Sequence, residues 1–163
     1  MLKAVLCVLC IALLSASCLK KNTGCTYTSN NTIAPASEQK AVTDYLDSNH
    51  NTNAVKYNNG LYYEIVSMGS GGSPNLCSQI TVNYTGKLTN GNVFDSQTGT
   101  VLTLGALIEG WKTGLPLIQK GGSIKLYIPP SLGYGPVDVR DGATVVVPAN
   151  SVLIFNITLM DYK

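Results

Sequence analysis

From Ala54 onward the chain alternates. In Ile80-Thr81-Val82-Asn83-Tyr84-Thr85 every second residue is apolar, the period of a strand with one buried face. The same alternation runs through Ile124-Lys125-Leu126-Tyr127-Ile128, which Pro129-Pro130 stops, and through Leu153, Phe155, Ile157 and Leu159. Val55-Lys56-Tyr57 and Leu61 to Val66 flank the turn Asn58-Asn59-Gly60 and predict a hairpin. Ser67 to Pro74 is a Gly-rich loop. One segment breaks the period of two. Trp111, Leu115 and Ile118 lie four and three apart, between Gly110 and Gly121-Gly122, which predicts a single short helix. A second short helix is predicted to open at Ser37 as N-cap, with Ala41, Val42, Tyr45 and Leu46 on one face. Asp47 to Asn53 is a polar break. Together these elements predict an α+β fold. A curled antiparallel sheet of about five strands wraps over one short α-helix, with a short N-terminal helix ahead of it.

The N-terminus follows a different pattern. MLKAVLCVLCIALLSASC carries Lys3, an apolar run from Ala4 to Leu14, and then small residues. The run is too short for an ordinary transmembrane helix and fits the core of a secretory signal. Leu14-Ser15-Ala16-Ser17-Cys18 resembles a bacterial lipobox, in which the signal is cut before a cysteine that then carries lipid. Leu14 lies four residues before Cys18, where the usual pattern has three; a plain cleaved signal is the other reading. The expected organisation is a signal peptide over 1–17, lipidated Cys18 with a polar tether over 18–36, a helical leader over 37–53, and a domain over 54–163. The expected location is the membrane surface of a bacterial cell envelope, on the periplasmic side or the cell surface, reached through acyl chains.

Composition removes several function classes. The net charge is +2 and only 12% of residues are charged, with no basic patch, so no nucleic-acid partner is expected. His50 is the only histidine and Arg140 the only arginine, which argues against a His-based triad or a multi-His metal site; neither metal nor cofactor is expected. Cys7-Val8-Leu9-Cys10 has redox spacing but lies inside the signal run. With Cys18 lipidated, Cys25 and Cys77 remain in an exported setting. They either join the leader to the domain as a disulfide or stay as two free thiols.

The stretch 83–96, NYTGKLTNGNVFDS, sets Phe94 beside Asp95 just after the Asn90-Gly91 turn. A core ring next to a solvated turn carboxylate is one reading; a shallow apolar site with one charged wall is the other. Trp111 on a very short helix and Tyr134 in the turn-rich Leu132-Gly133-Tyr134-Gly135-Pro136 favour a lined site, because aromatics at loops and helix ends commonly line something.

Four blocks, VNYTGKLTNGNVFDS (82–96), LIEGWKTGLPLIQKGG (107–122), KLYIPPSLGYG (125–135) and PANSVLIF (148–155), resemble the FKBP-type peptidyl-prolyl cis-trans isomerases in order and near-family spacing. The resemblance covers roughly residues 55–163, and the leader resembles exported lipoprotein members of bacteria. It implies that Tyr84, Phe94 and Asp95 form one side of a proline pocket. Leu107 and Ile108 would form its rim, with the Ile108 N–H binding a substrate carbonyl, and Trp111 its floor. Tyr134 would offer its hydroxyl, Val145 and Val146 would cover the pocket, and Phe155 would close its back. The catalytic assignments are Asp95, Tyr134 and Ile108. The implied partners are proline-containing polypeptides, and a monomer is expected.

Three departures from the family pattern stand out. The stretch SQTGTV between Asp95 and Leu102 reads as a short loop without the family's aromatic or its basic partner for the Asp. Asp95 must then rely on the Tyr84 hydroxyl, or on Arg140 if its loop folds back. The loop from Pro136 to Thr144 is longer than in the smallest members, and Val147 replaces a frequent Pro. A catalytically weak chaperone or peptide-binding lipoprotein on the same fold is the alternative function.

Overall fold

The alternating segments pair into one six-stranded antiparallel sheet in the computed structural model, which describes residues 24–163. The chain runs through helix α1 (Ala36–Ser48) and strands β1 (Val55–Lys56), β2 (Tyr62–Ser67), β3 (Gln79–Leu88) and β4 (Val93–Thr103). Helix α2 (Glu109–Gly114), strand β5 (Ser123–Ile128), the hairpin β6 (Val139–Asp141) and β7 (Thr144–Val147), and strand β8 (Leu153–Tyr162) follow. The sheet order is β1-β2-β5-β8-β3-β4, so the last strand lies in the middle.

Burial follows the period of two. Ile80 and Val82, Ile124, Leu126 and Ile128, and Leu153, Phe155, Ile157 and Leu159 all point to one face. Trp111, Leu115 and Ile118 cover that face from the other side of the core. The helix lies close to the sheet because of its two glycines. A Cβ at Gly110 would fall 2.6 Å from Ile128 Cδ1, and one at Gly114 2.5 Å from Leu126 Cδ2. The fold class is therefore the one the pattern predicts, with one strand more than expected in the sheet and an extra hairpin.

The extra elements fall where the sequence reads as loop. SQTGTV is strand, the middle of β4. Its Ser, Thr and Val residues suit a pleated edge, and a bulge opposite Asn83 absorbs the Gly: the register slips between Val82/Thr100 and Tyr84/Gln97, and Asn83 Oδ1 accepts from Gly99 N–H at 2.7 Å. The expected 136–144 loop contains β6, which pairs with β7 at and beyond its end. The helix predicted over 111–118 is split into α2 and a 3₁₀ turn at Leu115–Leu117, which holds Pro116 in its first turn.

The N-terminal helix also differs in detail. It begins at Ala36, with Pro35 and not Ser37 at the N-cap and no side-chain cap. Val42 and Leu46 are buried against Tyr127, Val152 and Ile154 on the outer face of the sheet, whereas Ala41 is exposed. Glu38 accepts from the Ser131 backbone N–H at 2.8 Å and ties the helix to the domain. The expected tether does not hang free from residue 24 onward. Cys25 is joined to Cys77, Ala34 is buried in the main core, and its N–H donates to Asn59 O at 2.9 Å. The disulfide closes a separation of 52 residues, worth about 4 kcal/mol in the chain-entropy account. Cys18 and the signal segment lie outside the described residues. Among the described residues no helix is long and apolar enough to cross a membrane.

Two outcomes test this packing. Val42→Ala removes two buried methyl groups under α1 and should lower stability by roughly 2 kcal/mol in urea unfolding; a loss under about 0.5 kcal/mol contradicts the docking. The Tyr127 hydroxyl is pushed up to about 12, first by burial and then by the charge of Glu64. Its share of stability is full below the unfolded value near 10 and is lost as pH rises toward 12. Tyr127→Phe should therefore show a smaller drop in stability between pH 9 and pH 11.5 than the parent, measured by urea unfolding at both.

Candidate functional site

Phe94 and Asp95 are consecutive in a strand, so alternation alone would send them to opposite faces. The register prevents this. Gly86 pairs with Asp95 and Lys87 with Val93, which leaves Phe94 as an extra residue in β4. A bulge of this kind re-aims a side chain. Phe94 consequently packs edge-to-face on Phe155, with ring centres 5.4 Å apart, while Asp95 Oδ2 accepts from the Tyr84 hydroxyl at 2.6 Å. Gly86 makes room for this: a Cβ there would fall 2.7 Å from Phe94 Cζ and 2.8 Å from Phe155 Cε1. The Asn90-Gly91 turn closes the hairpin, with Leu88 N–H donating to Asn92 O at 2.9 Å.

Trp111 lies at the centre of the aromatic group. It is 4% exposed and meets Tyr84 at 5.1 Å and Phe155 at 5.2 Å, both edge-to-face. Its indole N–H has no partner among the described residues, so the ring is held by packing. The residue before α2 is Ile108, extended at φ −63° and ψ 152°. Its carbonyl accepts from Trp111 N–H at 3.0 Å and Lys112 N–H at 3.2 Å, starting the helix. Among the described residues nothing accepts from the Ile108 N–H.

These elements enclose a cavity of about 290 Å³ lined by Tyr84, Asp95, Leu107, Ile108, Trp111, Tyr134 and Phe155. Leu102 and Ala106 complete the lining and were missed in the sequence. Leu102 pairs with Ile80 and faces inward, a signal present in its alternation with Leu104. Phe94 backs the wall without lining the cavity, and its ring stands 6.5 Å from that of Tyr134. Val145 and Val146 do not cover this cavity. They line a neighbouring groove of about 460 Å³ with Val93, Phe94 and Pro148.

Two tyrosine hydroxyls of the site are raised above their ordinary range. Tyr84 is pushed far above the ordinary tyrosine range, first by burial and then by its bond to Asp95. Tyr134, 39% exposed at the mouth, is also raised by burial and by the Asp95 charge. Both remain O–H donors at neutral pH. Of the two partners anticipated for Asp95, the structure selects Tyr84. Arg140 instead pairs with Asp138 at 2.9 Å and with Ala143 O.

Other recesses differ in kind. A groove of about 630 Å³ between residues 29–33 and α2 mixes Asn, Ser and Thr side chains with Ile33, Tyr57, Leu76 and Leu117, and none of the Trp111 aromatic group lines it. Among the described residues no three His, Cys, Asp or Glu side chains gather as a metal site.

The pocket is a small, largely apolar seat with donors at its rim, suited to an apolar ring flanked by carbonyls. The comparisons agree with that geometry. A profile described as FKBP-type peptidyl-prolyl cis-trans isomerase matches residues 71–160. The chain is 40% identical over 124 residues to the peptidyl-prolyl cis-trans isomerase Mip of Coxiella burnetii, covering 73% of this chain and 52% of that one. It is 42% identical over 108 residues to FkpA of Escherichia coli, covering 64% and 38%. The crystal structure of that FkpA superposes with a TM-score of 0.67 at 33% identity, over 78% of this chain and 60% of the other. AtFKBP13 superposes at 0.62 and 30% identity, over 68% and 98%. The chain spans about half the length of the curated relatives it matches. A pocket of this make, on this sheet, in a segment matched from 71 to 160, places the chain in the FKBP-type peptidyl-prolyl cis-trans isomerase family.

Proposed function

We propose that the protein is a peptidyl-prolyl cis-trans isomerase that assists the folding of exported polypeptides by twisting X-Pro amides in the Trp111 pocket. The observation that carries this is the convergence of an aromatic floor, the open Ile108 N–H and the neutral Tyr134 hydroxyl on one cavity. An X-Pro bond turns over a barrier of about 18–20 kcal/mol and takes tens to hundreds of seconds unaided. No bond breaks, so no nucleophile is required. Twisting removes resonance and leaves the carbonyl less polar. Water stabilises the planar, more polar amide, and a dry apolar seat stabilises the twisted one. The proline ring rests on Trp111 while flanking carbonyls accept from Ile108 N–H and Tyr134 O–H. Catalysis is then differential binding of the twisted state. Removing ~5 kcal/mol from the barrier gives a few thousandfold, at 1.36 kcal/mol per tenfold.

Asp95 acts electrostatically in this scheme, because no proton needs to be removed. It orients Tyr84 and sets a negative field at the wall, opposite the donors. The wider reading is an exported monomer anchored at Cys18 by lipid to a bacterial envelope membrane. The lipobox-like Leu14 to Cys18 supports it, as does a Cys25–Cys77 disulfide suited to an oxidising compartment.

In a protease-coupled assay on an X-Pro tetrapeptide, Tyr134→Phe and Asp95→Ala should each lower kcat/KM about tenfold with an unchanged far-UV CD spectrum. Full activity in both variants contradicts the assigned roles, and no acceleration by the parent at micromolar enzyme rejects the activity. Cells fed a labelled fatty acid should label the protein, and Cys18→Ala should abolish the label; label retained in the variant rules out this anchor.

A further inference from the structure

The rim of the pocket is held from behind by a part of the chain outside the matched family segment. Residues 104–109 run from the end of β4 to the start of α2, and Ala106, Leu107 and Ile108 of this run face the cavity. Their outer side meets two other segments. The first is the loop before β3: Leu104 N–H donates to Ser78 O at 3.0 Å and Gly105 N–H to Leu76 O at 2.7 Å. The second is the strap of residues 24–35. The Tyr27 ring lies directly on Gly105, where any Cβ would collide with it. Ser29 Oγ donates to Glu109 Oε2 at 3.1 Å.

Glu109 is the residue next to Ile108, and its carboxylate is unusually enclosed. The Glu109 side chain is 10% exposed and its partner Lys112 13%, with Nζ 2.8 Å from Oε1. One oxygen is held by Lys112 within the same helix, which fixes nothing beyond that helix. The other oxygen is held by Ser29, which is 80 residues away in sequence. The Cys25–Cys77 disulfide then joins the strap to the loop that grips Leu104 and Gly105. Strap, disulfide and loop thus form one closed brace behind the rim.

We infer that Ser29, with Tyr27 and the Cys25–Cys77 disulfide, is a positioning residue for the substrate-binding rim: by holding Glu109 it holds the Ile108 N–H at the angle the substrate carbonyl needs. This rests on the isomerase reading for its consequence in catalysis, but the brace itself does not. A rim that is held steady has less ordering to do when the peptide binds, so its loss weakens binding of the peptide more than it slows the turn of the bound amide. The hydrogen bond from Ser29 is to a charged, nearly buried acceptor, the stronger kind.

The test uses the full chain with three substitutions. In Ser29→Ala, hydrogen exchange of the Trp111 and Lys112 amides, both donated to Ile108 O, should quicken about tenfold, with β5 and β8 amides unchanged. KM for the X-Pro tetrapeptide should rise about threefold with kcat retained. Ser29→Thr keeps the hydroxyl and should restore both values. Cys25→Ser combined with Ser29→Ala should cost no more at the rim than the larger single effect, because both open the same brace. The inference is overturned if Ser29→Ala leaves the two amides at parent rates, if exchange quickens equally across the sheet, or if Ser29→Thr behaves like Ser29→Ala. If the parent does not isomerise the peptide, the isomerase reading fails alone, and the exchange rates still decide whether the brace holds the rim.

Discussion

The edge-to-face contact of Trp111 with Tyr84 and Phe155 is the interaction on which the rest depends. It joins three separate pieces of chain: a six-residue helix, the strand before the bulge, and the central strand of the sheet. A helix this short has no stability of its own. It exists because Trp111, Leu115 and Ile118 bury themselves on the sheet and because Gly110 and Gly114 let it approach. The same ring that holds the helix down is the floor of the cavity. Core and cavity therefore share an atom set, and the floor cannot be loosened without loosening the core.

The wall is built by a different device. One extra residue in β4 turns Phe94 and Asp95 to the same side, so a ring and a carboxylate can serve one site from consecutive positions. Among the described residues no cation pairs with the carboxylate. Arg140 is committed to Asp138, and the Tyr84 hydroxyl is what holds Asp95. Burial, and then the Asp95 carboxylate beside them, raise Tyr84 and Tyr134 further above the ordinary tyrosine range, and both serve as donors. The wall is thus a set of mutually oriented dipoles around one charge, a preorganised field of the kind that can favour one amide geometry over another.

Much of the fold was legible because its core is regular. Ile80, Val82, Ile124, Leu126, Leu153 and Phe155 alternate without interruption, and each is buried as its period requires. What escaped was irregular. SQTGTV reads as loop by its small polar residues, yet an edge strand with one solvated face asks for nothing more apolar, and its bulge hides the register. Ser37 looked like a cap, but a proline one residue before the helix serves as its start. For the site, Trp111, Tyr84, Ile108 and Tyr134 were legible through their family blocks and through the oddity of aromatics at turns. Val145 and Val146 fall between the blocks, and they line the neighbouring groove beside Phe94. The brace behind the rim was not legible at all. A serine and a tyrosine in a polar, Asn-rich stretch carry no periodic signal, and only the tertiary path brings Ser29 to Glu109.

The central claim is that one cavity both binds the proline ring and lowers the barrier to its rotation. Exchange NMR on an X-Pro tetrapeptide at equilibrium, with substoichiometric protein, observes both events without a coupling protease. The account predicts cis–trans cross-peaks that appear with the parent, together with shifts of the Trp111 indole signal at higher peptide. It predicts further that Tyr134→Phe weakens the cross-peaks while the indole still shifts. An indole signal that shifts on binding with no cis–trans exchange, in the parent itself, would contradict it.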